Sequence, residues 1–390
     1  MSEDTPKPGA ASQRKSKVPT LSPRKALASS DAPSITSISA SLSSLCSEID
    51  LPLIPPASLE FHTAISSGAF GTVGTGTLTN ADGTKTPVAI KVIAADTDDK
   101  VTAFLDEARA SYQAGGADQA KDDDDEPDAE EEQPSNICQT LGVTFTSKDG
   151  RGARLHLVME RLTVVGDLHD YIHKSDHWEY DPPRIRKDTY ACLDEDGDYA
   201  LYDMPRPEKI SFGCQLAKAL RECARNGIVH NDLKPANVLV LEKRGEGKEA
   251  KKGGGKKRKK GAAKVPAPAR CRIKLIDFGE GGPPDKVQGF VCGTPGYIAP
   301  EVEEYGDCSY KSDVFSLGVC LLEVWLGRVF EAGEEDEGKL KRARAEGVRK
   351  LEGKDKKVAE LIRRCITTEP EDRPTAKAVQ MELVRVRKAG

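Results

Sequence analysis

The chain has 390 residues, 31% of them charged, and a formal net charge of -5, so it is long enough to bury a sizeable core beside tails and shows no basic excess pointing to a nucleic-acid partner. No apolar run is long enough to cross a bilayer. The ten cysteines include no Cys-x-x-Cys pair, and Cys214, Cys223, Cys320 and Cys365 lie inside apolar patterns, which argues against zinc and for a reduced, intracellular setting.

Met1 to about Pro56 is rich in Ser, lacks the cationic-then-apolar order of a signal peptide and offers few apolar residues to bury, so residues 1–56 are expected to form a disordered tail. Alternating and β-branched stretches around Leu59, Thr72, Val88, Thr140 and Leu155 predict strands, and the amphipathic stretch Lys100 to Tyr112 predicts a helix packed on them. The acidic run Asp118 to Glu132 repels itself and predicts a solvated loop, placing a charged insertion at 113–135. A stretch containing Asp, Pro and Tyr marks a further insertion at 174–209, whose role the residues do not reveal. Leu216 and Leu220, at helical spacing, read as core. The last insertion, 243–270, carries Lys256-Lys257-Arg258-Lys259-Lys260 among glycines and reads as a solvated charged loop, an anionic-surface patch or a nuclear-import signal. If its ends pair as a hairpin, its length adds only a logarithmic closure cost. The corresponding location is cytoplasmic, with the nucleus added under the import reading.

The densest chemistry lies in His230-Asn231-Asp232-Leu233-Lys234-Pro235-Ala236-Asn237 and, beyond the insertion, Asp277-Phe278-Gly279. Alone, Asp-Phe-Gly is more often a strand-ending turn, and a single His a packed core residue. An ordered series of further segments changes that balance. Upstream lie Ile65-Ser66-Ser67-Gly68-Ala69-Phe70-Gly71-Thr72-Val73 and Val88-Ala89-Ile90-Lys91; downstream lie Gly293-Thr294-Pro295-Gly296-Tyr297-Ile298-Ala299-Pro300-Glu301, Asp313-Val314-Phe315-Ser316-Leu317-Gly318 and Arg373. Together they resemble the eukaryotic protein kinase family, Ser/Thr branch, from about Leu59 to about Val384, with Asn231 standing where the family has Arg.

That resemblance implies an α+β, two-lobed fold over 57–388: a small β-rich lobe with a helix over about 57–160 and a larger, mainly helical lobe over about 161–388. It implies a Ser/Thr protein kinase that uses ATP and Mg²⁺ on protein substrates, chemistry that needs positioning and charge neutralisation more than covalent help. By resemblance, Asp232 accepts the substrate hydroxyl's hydrogen bond, Lys234 faces the γ-phosphate, and Asn237 and Asp277 hold Mg²⁺. Lys91 meets the α- and β-phosphates and pairs with Glu107. Ile65, Ser66, Gly68, Gly71, Val73 and Ala89 lie above the nucleotide and Leu239 below it, with Met159, Glu160 and Leu162 along its edge. Ser66 replaces the first glycine of the family's pattern, and Ser111 an apolar residue one turn beyond Glu107. Between Glu280 and Cys292 there is no Ser, Thr or Tyr, so both the phosphate-binding Arg and a site to phosphorylate are missing, and the expected enzyme does not depend on activation-loop phosphorylation. The alternative is a kinase-shaped scaffold without turnover; the presence of Lys91, Asp232, Asn237 and Asp277 weighs for the enzyme.

Overall fold

In this computed structural model, residues 33–68, 71–116, 134–147, 152–173, 204–241, 271–327 and 337–389 are described. The acidic run 118–132, residues 1–32, residues 174–203 and the whole of the 243–270 insertion lie outside them.

The small lobe is built on a five-stranded antiparallel sheet in the order β1-β2-β3-β5-β4. Its strands are β1 (Leu59–Gly68), β2 (Gly71–Thr79), β3 (Lys85–Ala95), β4 (Thr140–Ser147) and β5 (Ala153–Glu160). Asn80-Ala81-Asp82-Gly83 turns β2 into β3: the Thr84 amide donates to Asp82 Oδ1 at 2.9 Å, and Gly83 supplies φ 82°. The helix α2 (Asp98–Gly115) starts where Thr97 accepts from the Lys100 amide, with Asp98 and Asp99 on the positive end of its dipole. It runs one turn past the predicted Tyr112, so the insertion expected from 113 begins later.

The expectation of disorder through Pro56 fails for residues 33–56. Ile35–Ile49 is a helix, α1, whose Ile38, Leu42 and Leu45 are almost fully buried with Val101, Phe104 and Ala108 of α2 and Val143 of β4. These apolar residues recur on one face of a helix, and α2 and β4 supply the surface that covers them. Burying each is worth at most about 1.5–3 kcal/mol. The chain then joins the sheet, with Ile54 N donating to Val143 O at 2.8 Å and Val143 N to Pro52 O at 3.0 Å.

The large lobe contains β6 (Val164–Asp167), α3 (Leu168–His173), α4 (Arg206–Arg225), β7 (Val238–Leu241), β8 (Arg272–Leu275), α5 (Pro300–Tyr305), α6 (Tyr310–Leu326), α7 (Glu337–Glu352), α8 (Lys356–Cys365) and α9 (Ala376–Ala389). The predicted 174–209 insertion is shorter than expected at its end: Met204 is buried, and Arg206 to Lys209 form the first turn of α4, with Lys209 Nζ donating to Trp325 O at 3.0 Å. Helix α6 is buried from Ser312 to Trp325, which explains its lack of a polar face; a Ser309–Ser312 capping box starts it and Gly327 at φ 64° ends it. Strands β7 and β8 pair antiparallel from Val238–Leu275 to Leu241–Arg272. The 243–270 insertion is therefore anchored on neighbouring strands, and Asn237 and Ile276 meet at its base, Ile276 N donating to Asn237 O at 3.0 Å.

Candidate active site

Strand alternation turns Val88 and Ile90 into the cluster with Ile54 and Val158, so Ala89 and Lys91 face the opposite side of the sheet. There Lys91 Nζ lies 2.6 Å from Glu107 Oε1 and 3.4 Å from Asp277 Oδ1. Burial lowers the Lys91 pKa, but Glu107 and then Asp277 outweigh it, and the ammonium is held above its ordinary value. Ser111 is buried, yet satisfied: it donates to Ala108 O at 3.2 Å and accepts from Thr140 Oγ1 at 3.0 Å, so a hydrogen bond ties α2 to β4 where an apolar contact was anticipated.

The catalytic-loop segment hangs on Asp313, whose carboxylate accepts from His230 N at 2.8 Å and Asn231 N at 2.9 Å; its pKa is raised, with burial the leading cause. Asn231 takes φ 64°, a conformation Asn tolerates better than most residues, and its Nδ2 donates to Glu280 O at 3.0 Å. Beyond it the side chains converge. Lys234 Nζ approaches Asp232 Oδ2 at 2.9 Å and donates to Thr294 Oγ1 at 2.6 Å; Thr294 donates to Asp232 Oδ1 at 2.7 Å. Asn237 Nδ2 donates to Asp232 O at 2.8 Å and Asp232 Oδ2 at 3.0 Å. Thr294 is the member of this group that the sequence marked only as part of the downstream segment Gly293 to Glu301, with no role of its own. Its position depends on Gly293, at φ 101°, where a Cβ would lie 2.6 Å from Asn231 O.

Asp277, at φ 63°, sits on a left-handed turn, and Phe278 is buried with its ring 4.8 Å from that of His230. With its amide nitrogen committed to Asp232, Asn237 keeps its amide oxygen, and this oxygen with the Asp277 carboxylate is a hard-oxygen donor pair whose chemistry suits Mg²⁺. On the sheet, Ser66 pairs with Val73, Gly68 with Gly71, Val73 with Lys91, and Ala89 with Met159. Ile65 is 67% exposed, and Ala69 and Phe70 lie outside the described residues. Gly71, at φ 114°, is compulsory, since a Cβ would meet Val92 O at 2.5 Å. Glu160 accepts from Gln139 N at 2.9 Å and Lys274 Nζ at 2.5 Å, a tie from the lobe junction to β8 that the sequence did not reveal. Leu162 follows it in the partly exposed connection to β6, and Leu239 pairs with Asp167 and Lys274. Further out, buried Arg373 makes two bonds to Glu301, 2.6 and 2.7 Å, and lies over Phe315.

This arrangement accords with what known sequences show. Residues 134–383 match the protein kinase domain, and residues 59–115 match the protein tyrosine and serine/threonine kinase family. Serine/threonine-protein kinase pkn3 of Myxococcus xanthus is 30% identical over 181 residues, 45% of this chain and 30% of that protein. Serine/threonine-protein kinase ATG1 of Colletotrichum lindemuthianum is 31% identical over 208 residues, 50% of this chain and 30% of that protein, and an Aurora kinase of Dictyostelium discoideum is 28% identical over 170 residues, 43% and 37%. The chain thus spans roughly a third of the length of these relatives. A five-stranded sheet with a buried Lys–Glu pair, above a helical lobe carrying the Asp232 and Asp277 segments, accompanies a family match over most of its length: the chain belongs to the protein kinase family.

Proposed function

We propose that this chain is a protein serine/threonine kinase that transfers the γ-phosphoryl group of ATP, with Mg²⁺, to a Ser or Thr hydroxyl of a protein, without needing phosphorylation of its activation loop. The observation that carries the reading is the simultaneous assembly of Lys91 with Glu107 and Asp277, and of Asp232 with Lys234, Thr294 and Asn237. Lys91 pairs with the α- and β-phosphates while Glu107 keeps it extended. Ile65, Ser66, Gly68, Gly71, Val73, Ala89, Met159, Glu160, Leu162 and Leu239 enclose the nucleotide. Asn237 and Asp277 would hold the metal, which when bound would neutralise charge on the transferred phosphoryl group. Lys234, Asn237 and Thr294 fix the Asp232 carboxylate, whose remaining lone pair, on Oδ1, orients the incoming hydroxyl.

Independence from loop phosphorylation is supported by the way the segment after Gly279 is held. The Gly282 and Val229 amides and carbonyls bond reciprocally, at 3.0 and 2.9 Å, Gly289 N donates to Gly306 O at 3.0 Å, and Gln288 Nε2 donates to Pro284 O at 2.9 Å and Cys308 O at 2.5 Å. None of these contacts needs a phosphate. The test is transfer of labelled phosphate from Mg-ATP to generic Ser/Thr peptides by protein made in bacteria and treated with phosphatase. Activity that Asp232→Asn nearly abolishes supports the reading; equal turnover in wild type and Asp232→Asn, with contaminating kinase removed, refutes it.

A further inference from the structure

Helix α1 has no part in the chemistry above, yet it lies on the helix that delivers Glu107. Ser34 starts it by accepting from Ser37 N at 3.1 Å, and Asp50 ends it at φ 57°. Its stripe of Ile38, Leu42 and Leu45 closes the cluster containing Val101, Phe104 and Ala108 of α2. Polar ties follow: Glu48 takes both terminal nitrogens of Arg109 at 2.5 and 2.7 Å, and the Tyr112 hydroxyl donates to Asp50 O at 2.8 Å. The C-terminal end of α2 has a separate anchor in Asn226 Nδ2, which donates to Ala114 O at 3.0 Å. Between that anchor and Thr97, α1 packs along α2 and against β4.

We propose that α1 is an intrachain activator: docked against α2 and β4, it holds α2 where Glu107 reaches Lys91, with Ile38, Leu42, Leu45 and Glu48 as positioning residues for phosphoryl transfer. The inference rests on the kinase reading of the site. A docked helix shifts the position of α2 only through contacts it makes in one position and not in others, and α1 meets that requirement because its apolar stripe and Glu48 must fit together. The Arg109 guanidinium lowers the Glu48 pKa, and Lys286 of the activation segment adds to the effect, so this carboxylate feels the charges of both α2 and the loop. Glu48 and Arg109 are partly exposed, so the pair supplies orientation and the apolar stripe the hold.

The test uses the full chain carrying Leu42→Ser with Leu45→Ser, beside Leu42→Met as the conservative control. Hydrogen exchange of residues 98–115, kcat and KM, thermal midpoint and affinity for the non-hydrolysable analogue adenylyl imidodiphosphate are measured, each with and without a synthetic peptide of residues 33–51. The expected result is a kcat lower by about tenfold well below the thermal midpoint, faster exchange along α2, little change in KM for the peptide substrate, and recovery when the peptide is added. Leu42→Met behaves as wild type. Unchanged exchange in α2 after α1 is released, or a kcat loss that the peptide does not recover, overturns the proposal. If wild type itself transfers no phosphate, the kinase reading fails, and α2 exchange with analogue binding still decides whether α1 positions α2.

Discussion

Replacing Asn231 by Arg, the residue common at this place in protein kinases, is predicted to weaken the protein without activating it. Asn231 holds φ 64°, so a side chain less suited to left-handed backbone adds about 1 kcal/mol of strain. Losing the Nδ2 bond to Glu280 O adds about 1 kcal/mol more. Among the described residues the Asn231 Oδ1 is buried without a partner, so removing it returns a little of that loss. The net expectation is about 1.5–2 kcal/mol of destabilisation for Asn231→Arg and about 1 kcal/mol for Asn231→Gly, which keeps the backbone free but drops the amide. Urea unfolding of the two variants and wild type, at equal slope, separates the strain from the hydrogen bond. Because residues 280–292 offer nothing to phosphorylate, peptide phosphorylation by Asn231→Arg should not exceed wild type. An Arg variant as stable as wild type, or one whose activity rises and falls with phosphatase treatment, refutes the reasoning.

Two further outcomes follow from buried charge. Glu301→Gln leaves the fully buried Arg373 guanidinium without its carboxylate and should cost about 3–5 kcal/mol, read as a large drop in thermal midpoint; a change near zero would mean that Thr367, Thr368 and Lys311 carbonyls and the Phe315 ring satisfy the cation alone. His156 is pushed down from 6.5 to about 4, by burial first and then by Arg154. Its folded pKa lies below the unfolded one, so stability is complete above pH 6.5 and falls as acid protonates the unfolded chain first, by on the order of 2–3 kcal/mol down to about pH 4. His156→Gln should flatten that part of the stability profile, and an identical slope in the variant would exclude His156 as its source.

The residue types and their order determined a good deal by themselves. Short segments resembling a family named Lys91, Glu107, Asp232, Lys234, Asn237 and Asp277, because phosphoryl transfer asks for few residue types, and the structure brings Lys91 together with Glu107 and Asp277, and Asp232 with Lys234 and Asn237. The strands of the small lobe could be read from alternation, whereas the helix α6 was marked only by the resemblance of Asp313 to Gly318, its apolar residues being interrupted by Ser316 and Glu323. What depends on distant surfaces could not be read. Ile38, Leu42 and Leu45 lie at helical spacing in a Ser-rich stretch, where composition argues for disorder; only α2 and β4 make burial worth the loss of chain entropy. Ser111 stood where an apolar residue was expected until Thr140 met it, and Thr294 was one residue of a downstream segment until the fold carried it across sequence to Asp232. A local motif records which groups the chemistry needs, whereas a partner far along the chain is chosen by packing, and packing exists only once the tertiary structure has formed.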